Sequence, residues 1–195
     1  MVTWLARLVL VLLLVLSIWS IAVIWNRKKY FEQLAFEAEF QKIIAKKSVS
    51  EFQNHFQANP SIFSEAFANV LTNPVAQTSG QSSVHIEKLL NSFVLRKRTE
   101  WEQGLPILGT LGAISPFIGL LGTILGIIVA FGELSTGKMD SMKVMFALAE
   151  ALVLTAVGLG VAIPAVIANN YFNRKITVLI RSLESLKEFV LGQRH

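Results

Sequence analysis

Apolar residues in this chain fall into three long uninterrupted runs, separated by stretches in which apolar positions recur at helical spacing. Between Arg7 and Arg27 there are 19 uncharged residues, Leu8 to Asn26. At about 1.5 Å per helical residue such a run crosses a hydrocarbon layer of about 30 Å. From Gln103 to Gly132 there is no charge at all, and from Val144 to Asn173 the only charge is Glu150. The pattern predicts an all-α integral membrane protein with three transmembrane helices at 8–26, 105–132 and 144–173. Residues 1–7 form an outer N-terminus and 133–143 an outer turn that makes the last two spans an antiparallel hairpin.

The polar parts read as helical extensions. Ile86, Leu89, Leu90, Phe93, Val94 and Trp101 follow three-and-four spacing with Lys88, Arg96, Lys97 and Arg98 between them. Tyr30 to Lys47 carries a similar pattern, and Asn73-Pro74 and Thr78 to Ser83 mark a loop. Residues 27–104 are therefore expected to form a cytoplasmic helical region. Beyond Asn173, Ile176, Leu179, Ile180, Leu183 and Val190 extend the third helix as an amphipathic one over 174–195. So many apolar stripes call for a helical bundle packed against copies of itself.

Composition agrees with a bilayer. Hydrophobic residues make up 53% of the 195-residue chain and charged residues 16%, too little polar surface for a soluble enzyme. Fifteen of the 18 lysines and arginines lie on one side of the three-span arrangement, leaving Arg7, Lys138 and Lys143 on the other. Basic flanks stay in the cytoplasm, so the N-terminus is expected outside and the C-terminus inside. Ser20-Ile21-Ala22 loosely resembles a signal-peptide cleavage site, but Arg27-Lys28-Lys29 follows the apolar run instead of preceding it, which favours an anchor. The net charge of +5 comes without an aromatic-basic recognition motif, so no nucleic-acid partner is expected. With no cysteine, and with His55 and His85 30 residues apart and lacking a third ligand, no metal, cofactor or catalytic constellation is expected.

Two features inside the spans point to function. Gly112, Ser115, Gly119, Gly122 and Gly126 recur at three-and-four spacing, and Ala151, Gly158, Ala162 and Ala165 repeat the device in the third span, where Pro164 is a further packing candidate. Small residues let helix backbones approach closely in lipid, where apolar area alone gives helices no reason to associate. Glu150 is the second feature. A charge deep in a membrane helix costs about 2.5–3.5 kcal/mol on insertion scales, so it needs water or a partner. Counting inward from Lys143 puts Glu150 about 10 Å and Thr155 about 18 Å below the outer surface, and counting back from Glu133 puts Thr123 about 15 Å deep. The two threonines share a level near mid-bilayer. Glu150 and Thr155 differ by about 140° around their helix, which sends Thr155 to the inner face with Thr123 and Glu150 to the flank or mouth. Either threonine could instead bond back to a carbonyl one turn earlier.

The stretches SPFIGLLGTILGI (115–127) and AEALVLTAVGLGVAIPAV (149–166) resemble the TolQ/ExbB/MotA proton-channel family. LGTLGAISPFIGLLGT and LSIWSIAVIWNRKKYF lean toward its TolQ side. The resemblance implies a homopentamer in the inner membrane enclosing a TolR/ExbD-like single-span partner, whose membrane aspartate carries the proton. It implies further that proton flow drives a TolA/TonB-like protein, for the Tol–Pal system or, alternatively, for TonB-dependent uptake. Thr123, Thr155 and Glu150 match the family's two pore threonines and its membrane glutamate. The chain departs from the family pattern where Phe146-Ala147 replaces a Pro-Gly pair and where Leu121 and Leu125 replace aromatic residues, and it is short for TolQ. From a different class, the residues also allow a passive membrane scaffold.

Overall fold

The computed structural model describes residues 2–33, 82–135 and 141–192, all of them helical apart from the break at 103–104. The four helices are α1 (Val2–Gln33), α2 (Ser82–Glu102), α3 (Leu105–Ser135) and α4 (Ser141–Gly192). Three of them are long and apolar enough to cross a membrane, over Arg7–Glu32, Leu105–Gly132 and Ser141–Ser185. His55, the Asn73-Pro74 turn, residues 34–47 and residues 136–140 of the 133–143 turn lie outside the described residues, as do His195 and the last two residues before it. α2 begins at Ser82, inside the stretch read as loop, a shift of the size that fraying helix ends produce.

The chain divides into two compact units, one of residues 1–30 and 104–172, the other of residues 31–103 and 173–195. The first holds α1 up to residue 30, all of α3 and α4 up to residue 172. On α1, Val9, Leu13 and Ser20 are buried while Trp4, Leu8, Ile18 and Trp25 stand exposed, so this helix packs by one narrow stripe. Such outward apolar residues suit lipid or further subunits, and the exposed aromatics Trp4, Trp25, Phe131, Phe146 and Tyr171 lie near the span ends, where amphipathic rings favour the membrane interface.

Local chemistry explains the helix bounds. Gly104 adopts φ 76°, the left-handed conformation that ends a helix without a Cβ penalty, and the Arg27 side chain lies against it. Pro106 stands in the first turn of α3, where its missing N–H would have had no helical partner. Pro116 and Pro164 sit inside α3 and α4 and leave the carbonyls of Gly112 and Gly160 without their helical donors. Both helices nevertheless continue through, as membrane helices do where neighbours and local adjustments support the backbone.

The second unit is amphipathic. From α2 it buries Leu90, Phe93 and Trp101, and from α4 Ile176, Leu179 and Leu183, following the apolar spacing of both segments. Lys187 donates to the Asn91 side chain at 3.2 Å across these two helices. On α2, Arg98 pairs with Glu102 at 2.8 Å and Lys97 with Glu100 at 3.3 Å, while Arg96 and Lys97 lie over the Phe93 ring.

Candidate functional site

The site is the seam between α3 and the first part of α4, and it is built from residues without bulk. A Cβ placed on Gly119 would lie 2.8 Å from the Leu154 carbonyl oxygen and 3.0 Å from the Thr155 Cα. One on Gly158 would lie 2.7 Å from the Ser115 carbonyl oxygen. Backbone meets backbone here, which only glycine permits. Along the same seam Leu154 covers Gly122, Ala151 abuts Gly126 and Val166 covers Gly112. Ala151, Ala162 and Ala165 are buried on the facing stripe.

This close approach is what brings the threonines together. The Thr123 and Thr155 hydroxyl oxygens are 3.3 Å apart. Thr155 donates across the seam to the Gly119 carbonyl at 3.2 Å, and Thr123 donates back along its own helix to Leu120 at 2.7 Å. Thr123 thus adopts the local back-bond common in membrane helices, whereas Thr155 does not. Two hydroxyls carry two hydrogens but have three contacts to fill. If both donate to carbonyls, none is left for the oxygen–oxygen contact; if one rotates to donate to the other, a carbonyl is released. The pair can therefore exchange between hydrogen-bond patterns by rotation alone, which is the behaviour a proton-handling site needs.

Of the residues singled out in the sequence, the seam gathers Thr123, Thr155, Gly112, Ser115, Gly119, Gly122, Gly126 and Gly158. Pro164 and Glu150 lie off it, both exposed in the single chain. No described residue offers the Glu150 carboxylate a hydrogen bond or an ion pair. An unpartnered carboxylate on a membrane-spanning helix has to meet water or another chain. Sequence reasoning did not single out Leu154 and Val166, which cap two of the glycines, nor Asn169, whose side chain lies against Gly109. Leu154 fills the gap between Ala151 and Gly158, and Val166 and Asn169 stand four residues beyond Ala162 and Ala165, so the three-and-four periodicity contained them without marking them.

Together, three apolar spans and a polar pair inside a glycine-packed seam define a polytopic α-helical membrane protein with an ionisable helix face left open. Residues 38–185 match the MotA/TolQ/ExbB proton channel family, and the chain belongs to that family. Among its relatives, the biopolymer transport protein ExbB of Xanthomonas campestris pv. campestris (strain B100) is 38% identical over 104 residues, 53% of this chain and 41% of that protein. The Tol-Pal system protein TolQ of Pseudomonas aeruginosa is 38% identical over 96 residues, 49% of this chain and 42% of that one. ExbB of Helicobacter pylori (strain J99) is 43% identical over 86 residues, 44% of this chain and 59% of that one. The matches thus span about two fifths to three fifths of these relatives' lengths.

Proposed function

We propose that this chain is the ring-forming subunit of a proton-driven motor of the Tol–Pal type. In this reading five copies stand in the inner membrane with N-termini outside and C-termini in the cytoplasm. They enclose a TolR/ExbD-like single-span partner whose membrane acid carries the proton, and Thr123 and Thr155 supply the polar wall that receives it. Glu150, at the flank of the same helix, faces the hydrated mouth or a neighbouring subunit, which accounts for a carboxylate with no intrachain partner among the described residues. Proton passage shifts the partner within the ring and passes force to a TolA/TonB-like protein.

The observation that carries this reading is the hydroxyl pair at 3.3 Å, held between two candidate spans by glycine packing, in a member of a proton channel family. The test is proton flux into vesicles reconstituted with the chain and its single-span partner. Thr155→Val and Glu150→Ala are expected to assemble as the wild type does but to lose flux and envelope stability. Normal flux in both variants sinks the reading, and a passive scaffold shows no flux with or without the partner.

A second reading, an ExbB-type subunit energising TonB-dependent uptake, is supported by the ExbB relatives at comparable identity. The two are separated by the genes beside this one and by whether deletion weakens the outer membrane or abolishes uptake of iron complexes.

A further inference from the structure

Ser115 stands on the same face of α3 as Thr123, eight residues toward Leu105, a rise of about 12 Å. The residue is fully buried at 0% exposure, and its hydroxyl has no hydrogen-bond partner among the described residues. A serine in a membrane helix ordinarily satisfies its hydroxyl on a carbonyl one turn earlier, and this one does not. Beside it, Pro116 deprives the Gly112 carbonyl of its helical donor, so an acceptor without its usual partner occupies the same level. Packing alone would be served by alanine here, because an unpaired buried hydroxyl is destabilising.

We infer that Ser115 is a further proton-pathway residue, the next hydroxyl station between the Thr123–Thr155 pair and the Leu105 end of the seam, working through water that enters when the seam parts. The inference rests on the channel reading above. In the present arrangement the line is shut. The Gly119–Gly158 contact lies between the two stations, and it is tight enough that a Cβ on Gly158 would sit 2.7 Å from the Ser115 carbonyl oxygen. When the helices separate there, about three waters at hydrogen-bond spacing bridge the gap. The Ser115 oxygen then accepts a proton from the water on the threonine side, releases its own hydrogen to the water on the other side, and rotates back. Charge and proton count on the serine are unchanged at the end of each passage. Asn169, against Gly109 further along the seam, extends the polar line in the same direction.

The experiment exploits a chain that contains no cysteine. Ser115→Cys in native membranes is treated with the small cationic thiol reagent methanethiosulfonate ethylammonium, with Ile114→Cys, on the neighbouring exposed face, as the lipid-facing control. Ser115→Cys is expected to react at least tenfold faster. Ser115→Ala, reconstituted with the single-span partner, is expected to lose at least tenfold in proton flux while melting at the same or a higher temperature, since removing an unpaired hydroxyl does not weaken the fold. Equal reactivity of the two cysteines, or normal flux in Ser115→Ala, overturns the inference. Thr155→Val and Glu150→Ala run alongside separate the two levels: loss of flux in either with normal Ser115→Ala rejects only the Ser115 station, whereas normal flux in both rejects the channel reading and this inference with it.

Discussion

Adding one methyl group at Gly119 should cost more function than stability, and the seam geometry says by how much. In an ordinary helix Gly→Ala is worth about 1 kcal/mol in favour of alanine. At Gly119 the new Cβ would meet the Leu154 carbonyl oxygen at 2.8 Å, and restoring an ordinary contact of 3.4 Å needs the facing backbone to retreat by about 0.6 Å. Backbone atoms on both sides leave no flexible side chain to absorb the shift. Such overpacking costs about 1–3 kcal/mol, so the net loss of stability is at most about 2 kcal/mol. The same retreat lengthens the Thr155–Gly119 hydrogen bond from 3.2 Å to about 3.8 Å and opens the 3.3 Å threonine contact. Gly119→Ala is therefore expected to remain folded in detergent, with a modest drop in melting temperature, and to lose most proton flux in vesicles. Gly160→Ala is the matched control, because no described residue comes within 4 Å of the Cβ position there. It should leave the single chain as stable as before or stabilise it by up to about 1 kcal/mol. A Gly119→Ala protein that conducts normally, or a single-chain stability loss in Gly160→Ala as large as in Gly119→Ala, would refute the reasoning.

Further expectations follow from single residues. Thr155→Ser keeps a hydroxyl within reach of Gly119 and should retain measurable flux where Thr155→Val has none; equal flux in the two variants means that the hydroxyl does not matter. Trp101 is fully buried and its indole N–H has no partner among the described residues, so Trp101→Phe should stay within about 1 kcal/mol of wild type, while Trp101→Ala should lose about 3–5 kcal/mol in chemical denaturation. The Arg98 guanidinium is held above its ordinary range, first by its hydrogen bond to Glu102 and then by that residue's charge. A raised cationic pKa contributes stability below the ordinary arginine range and loses it only as pH climbs through the raised value. The pair is solvent-exposed, so Glu102→Gln should barely move the melting temperature, and the difference from wild type should stay flat from neutral pH into strong alkali.

The one-dimensional pattern was sufficient for the spans because crossing a bilayer imposes a length and an absence of charge, both countable along a chain. The apolar faces of α2 and of the end of α4 could be read for a similar reason, since three-and-four spacing survives any detail of packing: Leu90, Phe93, Ile176, Leu179 and Leu183 are all buried. The level shared by Thr123 and Thr155 likewise came from counting residues inward from the charged flanks.

Other properties exist only in three dimensions. That the threonines touch depends on how closely two backbones approach, and a 3.3 Å contact requires Gly119 to face Leu154, Thr155 and Gly158, 35 to 39 residues away. The sequence alone determined a helical membrane protein with three candidate spans, small-residue stripes and two hydroxyls at one level, because length, charge and helical period act locally. Only the tertiary structure decided that Thr155 donates across the seam while Thr123 bonds within its own helix, that Pro164 stands off the seam, and that the Ser115 hydroxyl is sealed in without a partner among the described residues. Those outcomes turn on a few tenths of an ångström between helices, a distance that no spacing along the chain encodes.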